Sequence, residues 1–200
     1  MKERIEQKLE LEKFQYTSFI YWLKNKKAKV LYPERIISSR YFDTYDFKML
    51  QDTNEGIQPR KKVRIRTYGV YEFGSSIKKY NLEIKLTKEN KRFKQIEENI
   101  NWTNYQKNGF FDNDYGMCFP IIDIAYSREY FLVDEIRLTI DKDIIYKLDK
   151  NLNNRTIIDK SYVVEIKANK DTDINFLLNN FDFPRTRFSK YERGMNNYLE

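Results

Sequence analysis

The chain has 200 residues, of which 40% are hydrophobic, 34% charged and 16% aromatic, enough apolar material for one packed domain and too much for wholesale disorder. Its formal charge is +7, with no histidine and a single cysteine, Cys118. Intramolecular disulfides, Ser/His/Asp or Cys/His catalysis and histidine-ligated zinc are thereby excluded, and an anionic partner or an oxygen-ligated metal is favoured.

In chain order, Arg4 to Leu11 alternates. Arg4, Glu6, Lys8 and Glu10 share one face of a predicted strand, and Ile5, Leu9 and Leu11 the other, with Gln7 the exception. Lys13 to Lys26 carries Phe14, Phe19, Ile20 and Leu23 at helical spacing. After a turn signal at Pro33, Ile36 to Phe42 is a weaker strand; Asp43 is expected to end it and cap a turn rather than bind metal. A turn over Gly56 to Pro59 precedes Arg60 and Lys61, read as solvated. The next strand, Lys62 to Tyr68, has Lys62, Arg64, Arg66 and Tyr68 opposite Val63, Ile65 and Thr67.

Beyond turn residues Gly69 to Ser76, Asn81 to Thr87 sets Glu83 and Lys85 against Leu82, Ile84 and Leu86. A further turn signal covers Gly109 to Gly116, and Cys118 reads as a small buried side chain. Two strands follow, Asp123 to Leu132 and Glu135 to Asp141. They place Tyr126, Arg128 and Tyr130, then Arg137, Thr139 and Asp141, on single faces, with Lys142 and Asp143 as the closing turn. Tyr162 to Ala168 opposes Glu165 and Lys167 to Val164 and Ile166, echoing Leu82-Glu83-Ile84-Lys85 too briefly for a repeat. Asp171 to Asn179 is a short predicted helix, Pro184 a turn, and Arg187 to Tyr198 the closing helix. No apolar run reaches membrane-spanning length and the charged start does not read as a secretory signal, so a soluble, cytoplasmic protein is expected.

A charged strand face taken singly is a solvated face. Here several are enriched in Arg and Lys at alternate positions, and two carry a Glu two residues before a Lys. An antiparallel sheet closed with these faces inward would hold a hydrated basic tunnel, which needs an anion to relieve its repulsion. Phosphate chains suit such a lining: Arg binds them bidentately, Lys as a point charge, and Glu leaves room for a divalent ion. The sequence lacks both G-x-x-x-x-G-K-[ST] and G-x-G-x-x-G, so no backbone cradle for phosphate is expected. Pattern alone leaves an open sandwich with polar outer faces as the alternative.

One ordered set of segments resembles a known family. It comprises Arg4-Ile5-Glu6-Gln7-Lys8, Arg40-Tyr41-Phe42-Asp43-Thr44, Lys62-Val63-Arg64-Ile65-Arg66-Thr67-Tyr68, Leu82-Glu83-Ile84-Lys85, Tyr126-Ser127-Arg128, Arg137-Leu138-Thr139-Ile140-Asp141, Val164-Glu165-Ile166-Lys167 and Phe188-Ser189-Lys190-Tyr191. Together they resemble the catalytic domain of vacuolar transporter chaperone (VTC) polyphosphate polymerases, members of the CYTH-like triphosphate tunnel metalloenzymes. The resemblance implies one domain over residues 1–200, of α+β class, with an eight-stranded antiparallel β-barrel tunnel and flanking helices. It implies a metal-dependent enzyme that moves the γ-phosphate of ATP, or of another nucleoside triphosphate, onto polyphosphate. By similarity Lys8, Arg64, Arg66, Lys85, Arg128, Arg137 and Lys190 are the catalytic cations. Tyr126, Lys167 and Ser189 bind substrate, and Glu165 ligates Mn2+ or Mg2+.

The match departs from the family at Gln7 and Leu9 and over Lys88 to Phe119, where Lys91 and Lys94 have no firm assignment. The family's accessory regulatory and membrane domains are absent from the sequence, which implies a stand-alone form or an accessory or membrane partner. The related tunnel phosphatases and cyclases open with E-x-E-x-K, of which Glu6-Gln7-Lys8 supplies only the latter part. A tunnel-fold triphosphatase is therefore the second reading. A non-catalytic module for polyphosphate or single-stranded nucleic acid, with Tyr and Phe as stacking surfaces, is a third. A Mg-dependent nuclease using an E-x-K triplet with Asp141 or Asp143 is a fourth.

Overall fold

The computed structural model describes residues 4–73, 79–148, 155–172, 174 and 186–199. Its elements run β1 (Arg4–Leu11), α1 (Lys13–Asn25), β2 (Lys29–Asp43), α2 (Lys48–Glu55), β3 (Arg60–Tyr68), β4 (Asn81–Lys88), β5 (Lys91–Glu97), α3 (Trp102–Asn108) and β6 (Phe110–Asp112). They continue with β7 (Gly116–Val133), β8 (Ile136–Leu148), β9 (Thr156–Asp159), β10 (Tyr162–Asn169) and α4 (Lys190–Leu199). Hydrogen bonds order the strands β1-β10-β8-β7-β2-β3-β4-β5, with β6 paired to β7 and β9 to β8. The class is α+β and the main path is an antiparallel ladder of eight strands, as the sequence predicts. Among the described residues no helix is long and apolar enough to cross a membrane.

The chain groups into two compact units. The first comprises Met1–Arg35, Tyr126–Ile144 and Ile158–Phe188; the second comprises Ile36–Ala125, Ile145–Ile157 and Ser189–Glu200.

In the first unit the period-two pattern of β1 sends Leu9 and Leu11 into a core with Leu138 and Ile140 of β8 and Val164 and Ile166 of β10. Helix α1 adds Phe19 and Leu23 to that core, with Tyr16, Ile20 and Trp22 beside them. Its start is held by the Gln15 side chain, which accepts the Glu12 N–H at 2.8 Å. Phe14, which shares the predicted apolar spacing, is instead 66% exposed.

In the second unit Val63 and Ile65 of β3 and Leu82 of β4 pack with Phe42, Met49, Tyr80 and Cys118. Cys118 is fully buried, as its sequence context suggests. Asp43 ends β2 and is itself buried. Its Oδ1 accepts the N–H groups of Thr44 (2.7 Å) and Met49 (2.9 Å), its Oδ2 that of Leu50 (3.0 Å), and Tyr191 donates its hydroxyl to Oδ2. The expected capping role is thus met, and the capped element is α2, which hydrophobic spacing alone does not reveal. Gly56 closes α2 at φ +77°, the left-handed geometry that a glycine adopts at no steric cost.

Three local expectations change. Pro33 does not mark a turn but sits exposed within β2, because its fixed φ is compatible with extended backbone and only one donor is lost. Lys142 and Asp143 do not end the Arg137 strand. β8 continues through them because Ile144, Tyr146 and Leu148 resume alternate burial, and Asp143 absorbs the irregularity at φ +52°. Lys61 is not a free solvated side chain: it bonds Asp112 at 2.9 Å and Asp114 at 2.6 Å. The predicted helix Asp171 to Asn179 falls largely outside the described residues, and Pro184 wholly so.

Candidate functional site

In the second unit, register places side chains of four strands on one face. Lys62 of β3 lies opposite Lys85 of β4, and Lys85 opposite Lys94 of β5. One step along, Arg64 lies opposite Tyr41 of β2 and Glu83 of β4; beyond it Arg66 faces Ser39 and Asn81. Directly opposed like charges destabilise an antiparallel pair, so the Lys62-Lys85-Lys94 row needs anionic compensation.

Among the described residues of β3, β4 and β5, the carboxylate on this face is Glu83, only 2% exposed. Arg64 donates Nε to its Oε2 at 2.8 Å, Arg66 approaches the same oxygen at 3.6 Å, and Lys94 donates to Oε1 at 2.8 Å. Burial raises the pKa of such a group, but the charges of Arg64 and Arg66 and the Lys94 hydrogen bond outweigh it and hold that of Glu83 down to about 2. Lys62, Arg64, Arg66, Lys85 and Lys94 lie on this face with the ionised Glu83, and Arg60 and Arg92 flank Thr87 on the same side. Lys62 also donates to Ser189 Oγ at 2.7 Å, and that oxygen accepts the Glu192 N–H at 3.4 Å at the start of α4. Lys190 is the first residue of that helix.

The first unit builds a different face. Lys8 of β1, Glu165 of β10 and Thr139 of β8 form one cross-strand row; Glu6, Lys167 and Arg137 form the next; Glu10, Val163 and Asp141 a third. Arg128 of β7 donates Nη2 to Asp141 at 2.7 Å and stands 4.0 Å from Glu165. Its guanidinium also lies over the Tyr126 ring, 5.3 Å from the centroid, while that of Arg137 lies 6.0 Å from the Tyr130 ring. Lys167 approaches Glu165 at 3.4 Å, and Lys8 donates to the Phe188 carbonyl at 2.8 Å. Among the described side chains, Lys8, Arg128, Arg137 and Lys167 here meet Glu6, Glu10, Asp141 and Glu165. The sequence expectation is of faces enriched in Arg and Lys with Glu among them; the second unit's face is the more basic of the two, and the first mixes the signs.

Oxygen ligation of a divalent ion fits the first unit. Burial pushes the Glu165 carboxyl up, but its hydrogen bond with Glu6 and the charges of Lys167, Arg128 and Lys8 prevail and hold it well below the usual carboxylate range. Two carboxyls in such contact need a shared proton or a cation between them. Beside them Thr139, 3% exposed, has a buried Oγ1 with no hydrogen-bond partner. Among the described residues no three carboxylate or cysteine side chains gather as a complete metal cage. The donor set is instead that of an ion held by one or two carboxylates and completed by water or phosphate oxygens.

The residues expected from sequence divide between the units. Lys8, Tyr126, Arg128, Arg137, Glu165 and Lys167 share the first unit's charged face. Arg64, Arg66 and Lys85 share the second's, where Ser189 reaches it through Lys62, and Lys190 begins the adjoining helix. Glu83, Tyr41, Lys62 and Lys94 also belong to that second face. The echo between Leu82-Glu83-Ile84-Lys85 and Val164-Glu165-Ile166-Lys167 is the signal that could have found Glu83. In both triplets the glutamate is buried beside cations from other strands.

The fold has solved counterparts. A candidate adenylate cyclase from Bacillus halodurans superposes with a TM-score of 0.61 at 13% identity, covering 96% of this chain and 97% of that one. A candidate adenylate cyclase from Vibrio parahaemolyticus gives 0.56 at 14%, with the same coverage of both chains. At these identities the likeness is one of fold. No curated protein matches the chain. The model of the VTC domain family matches residues 1–113 and 103–199, so it reaches both charged faces and nearly every described element. The chain belongs to the VTC domain family.

Proposed function

We propose that this protein is a phosphotransferase that moves the γ-phosphate of ATP, or of a related nucleoside triphosphate, onto a polyphosphate chain. The observation that carries the reading is the second unit's face, where Lys62, Arg64, Arg66, Lys85 and Lys94 share a sheet face with the ionised Glu83. Such an excess of positive charge on one sheet face is stabilised by a polyanion. VTC family membership supports phosphate as that anion.

Phosphoryl transfer asks little covalent chemistry of the protein; alignment and charge stabilisation supply most of the rate. A terminal phosphate is already ionised, so a histidine-free chain lacks nothing as a transferase. In this reading Arg64, Arg66, Lys85 and Lys190 bind phosphate oxygens in the second unit, with Ser189 setting the position of Lys62. In the first unit Lys8, Arg128, Arg137 and Lys167 do so beside Tyr126. Glu165 and Glu6 would hold Mn2+ or Mg2+, which neutralises charge on the transferring group.

Hydrolysis of a triphosphate is the second reading, favoured by one observation: the unpartnered hydroxyl of Thr139 opposite Glu165 is a place to hold a water. Incubation with ATP and Mn2+, followed by a gel resolving phosphate chain length, separates the readings. A ladder supports the transferase, free phosphate supports the hydrolase, and unchanged ATP overturns both. The Glu165→Gln variant is expected to lose metal-dependent turnover and to retain affinity for tripolyphosphate.

A further inference from the structure

A buried carboxylate among phosphate-binding cations can act in two opposite ways. It can compete with the substrate as an internal anion, so that its removal tightens binding. Or it can hold the cations in the geometry the substrate needs, so that its removal weakens binding. The contacts around Glu83 distinguish the two.

Arg64 is fixed on three of its nitrogens: Nε and Nη2 both bond Glu83 Oε2, and Nη1 donates to the Tyr41 hydroxyl at 2.7 Å. The Tyr41 ring in turn stacks on Tyr191, with centroids 5.1 Å apart, and Tyr191 is anchored by Asp43. The other carboxylate oxygen, Oε1, holds Lys94, which comes from the edge of the strand order and would otherwise swing on a flexible stem. Glu83 thus joins cations from β3 and β5 across β4, and its contact with Arg64 is backed by an aromatic pair. A mere counter-ion does not require that backing.

We infer that Glu83 is a positioning residue, which orients Arg64 and Lys94 toward a phosphate ligand. The inference rests on the phosphate-binding reading above. Glu83→Gln keeps the shape of the side chain and removes its charge. Calorimetric titration with inorganic tripolyphosphate is expected to show a tenfold or greater loss of affinity. In an Arg64→Ala background the same change is expected to cost several-fold less than in the wild type, because only Lys94 is then left to be positioned.

Equal or tighter binding by Glu83→Gln would overturn the inference, since that is the behaviour of a competing anion. A ligand-free readout separates this outcome from failure of the underlying function. The nitrogen-15 signal of Arg64 Nε–H should exchange slowly in the wild type and quickly in Glu83→Gln; unchanged exchange also overturns the inference. If the wild type does not bind tripolyphosphate, the phosphate reading fails while the exchange result still decides whether Glu83 orders Arg64. Should Glu83→Gln fail to fold, Tyr41→Phe removes only the hydroxyl on Nη1. It is expected to weaken binding several-fold, and unchanged affinity would count against the positioning chain.

Discussion

Alanine at Arg64 and alanine at Lys85 delete one positive charge each from the same sheet face, yet they should differ widely in cost. Arg64 has an 11% exposed side chain, whereas Lys85 is exposed. A phosphate oxygen about 4 Å from a unit charge gains roughly 1 kcal/mol in water-like surroundings and about 4 kcal/mol at an effective dielectric constant near 20. Lys85→Ala should therefore weaken tripolyphosphate binding about fivefold. Arg64→Ala should weaken it by a hundredfold or more, because it also leaves the Glu83 charge less compensated beside the ligand. Titration calorimetry at low and at high salt measures both. Raising the salt should shrink the Lys85 difference more, since screening acts first on exposed charges. Equal losses for the two variants, or a larger loss for Lys85→Ala, would refute the assignment of Arg64 to a desolvated phosphate contact.

Other outcomes follow from the packing. Asp43→Ala removes the acceptor of three backbone N–H groups and one hydroxyl in a buried setting. Unfolding in urea at neutral pH should show a loss of about 3 kcal/mol or more, and a loss below about 1 kcal/mol would contradict the cap's role in α2. Gly194→Ala in α4 would bring a methyl within 2.6 Å of the Tyr146 ring and 2.9 Å of Ile122, so overpacking should cost about 1–3 kcal/mol in a thermal melt. Glu83 makes stability pH-dependent in the acid range. Its folded pKa of about 2 lies below the ordinary glutamate value of 4.5, so its contribution is complete above the higher figure and is lost as pH falls toward the lower. The stability difference between wild type and Glu83→Gln, at most about 3 kcal/mol at neutral pH, should close between about pH 5 and pH 2. A constant difference across that range would mean that the ion pairs with Arg64 and Lys94 do not stabilise the fold.

Periodicity was enough to place most of the ladder. Wherever apolar and charged residues alternate cleanly, as in β1, β3, β4 and β10, the side facing the core could be read without coordinates, because a half-buried strand must segregate its two faces. The same alternation, with the family's ordered segments, puts Arg64, Arg66, Lys85, Arg128, Arg137 and Glu165 on charged strand faces. Short or fully exposed elements escaped. β5 buries no side chain, so no pattern marks it; α2 owes its start to Asp43, whose bonds reach across six and seven residues.

Tertiary structure alone decided how the charges are balanced. Sequence spacing puts Glu83 and Glu165 on charged faces but cannot say which cations reach them, because those come from strands distant in the chain whose register is set by packing. Pairing brings Glu83 under Arg64, Arg66 and Lys94 and leaves that face in cationic excess, while Glu165 shares its face with Glu6, Glu10 and Asp141 as well as with cations. Identical E-I-K triplets thus acquire different electrostatic surroundings, since a carboxylate's environment depends on the neighbours that folding brings within a few ångströms rather than on its place in the sequence.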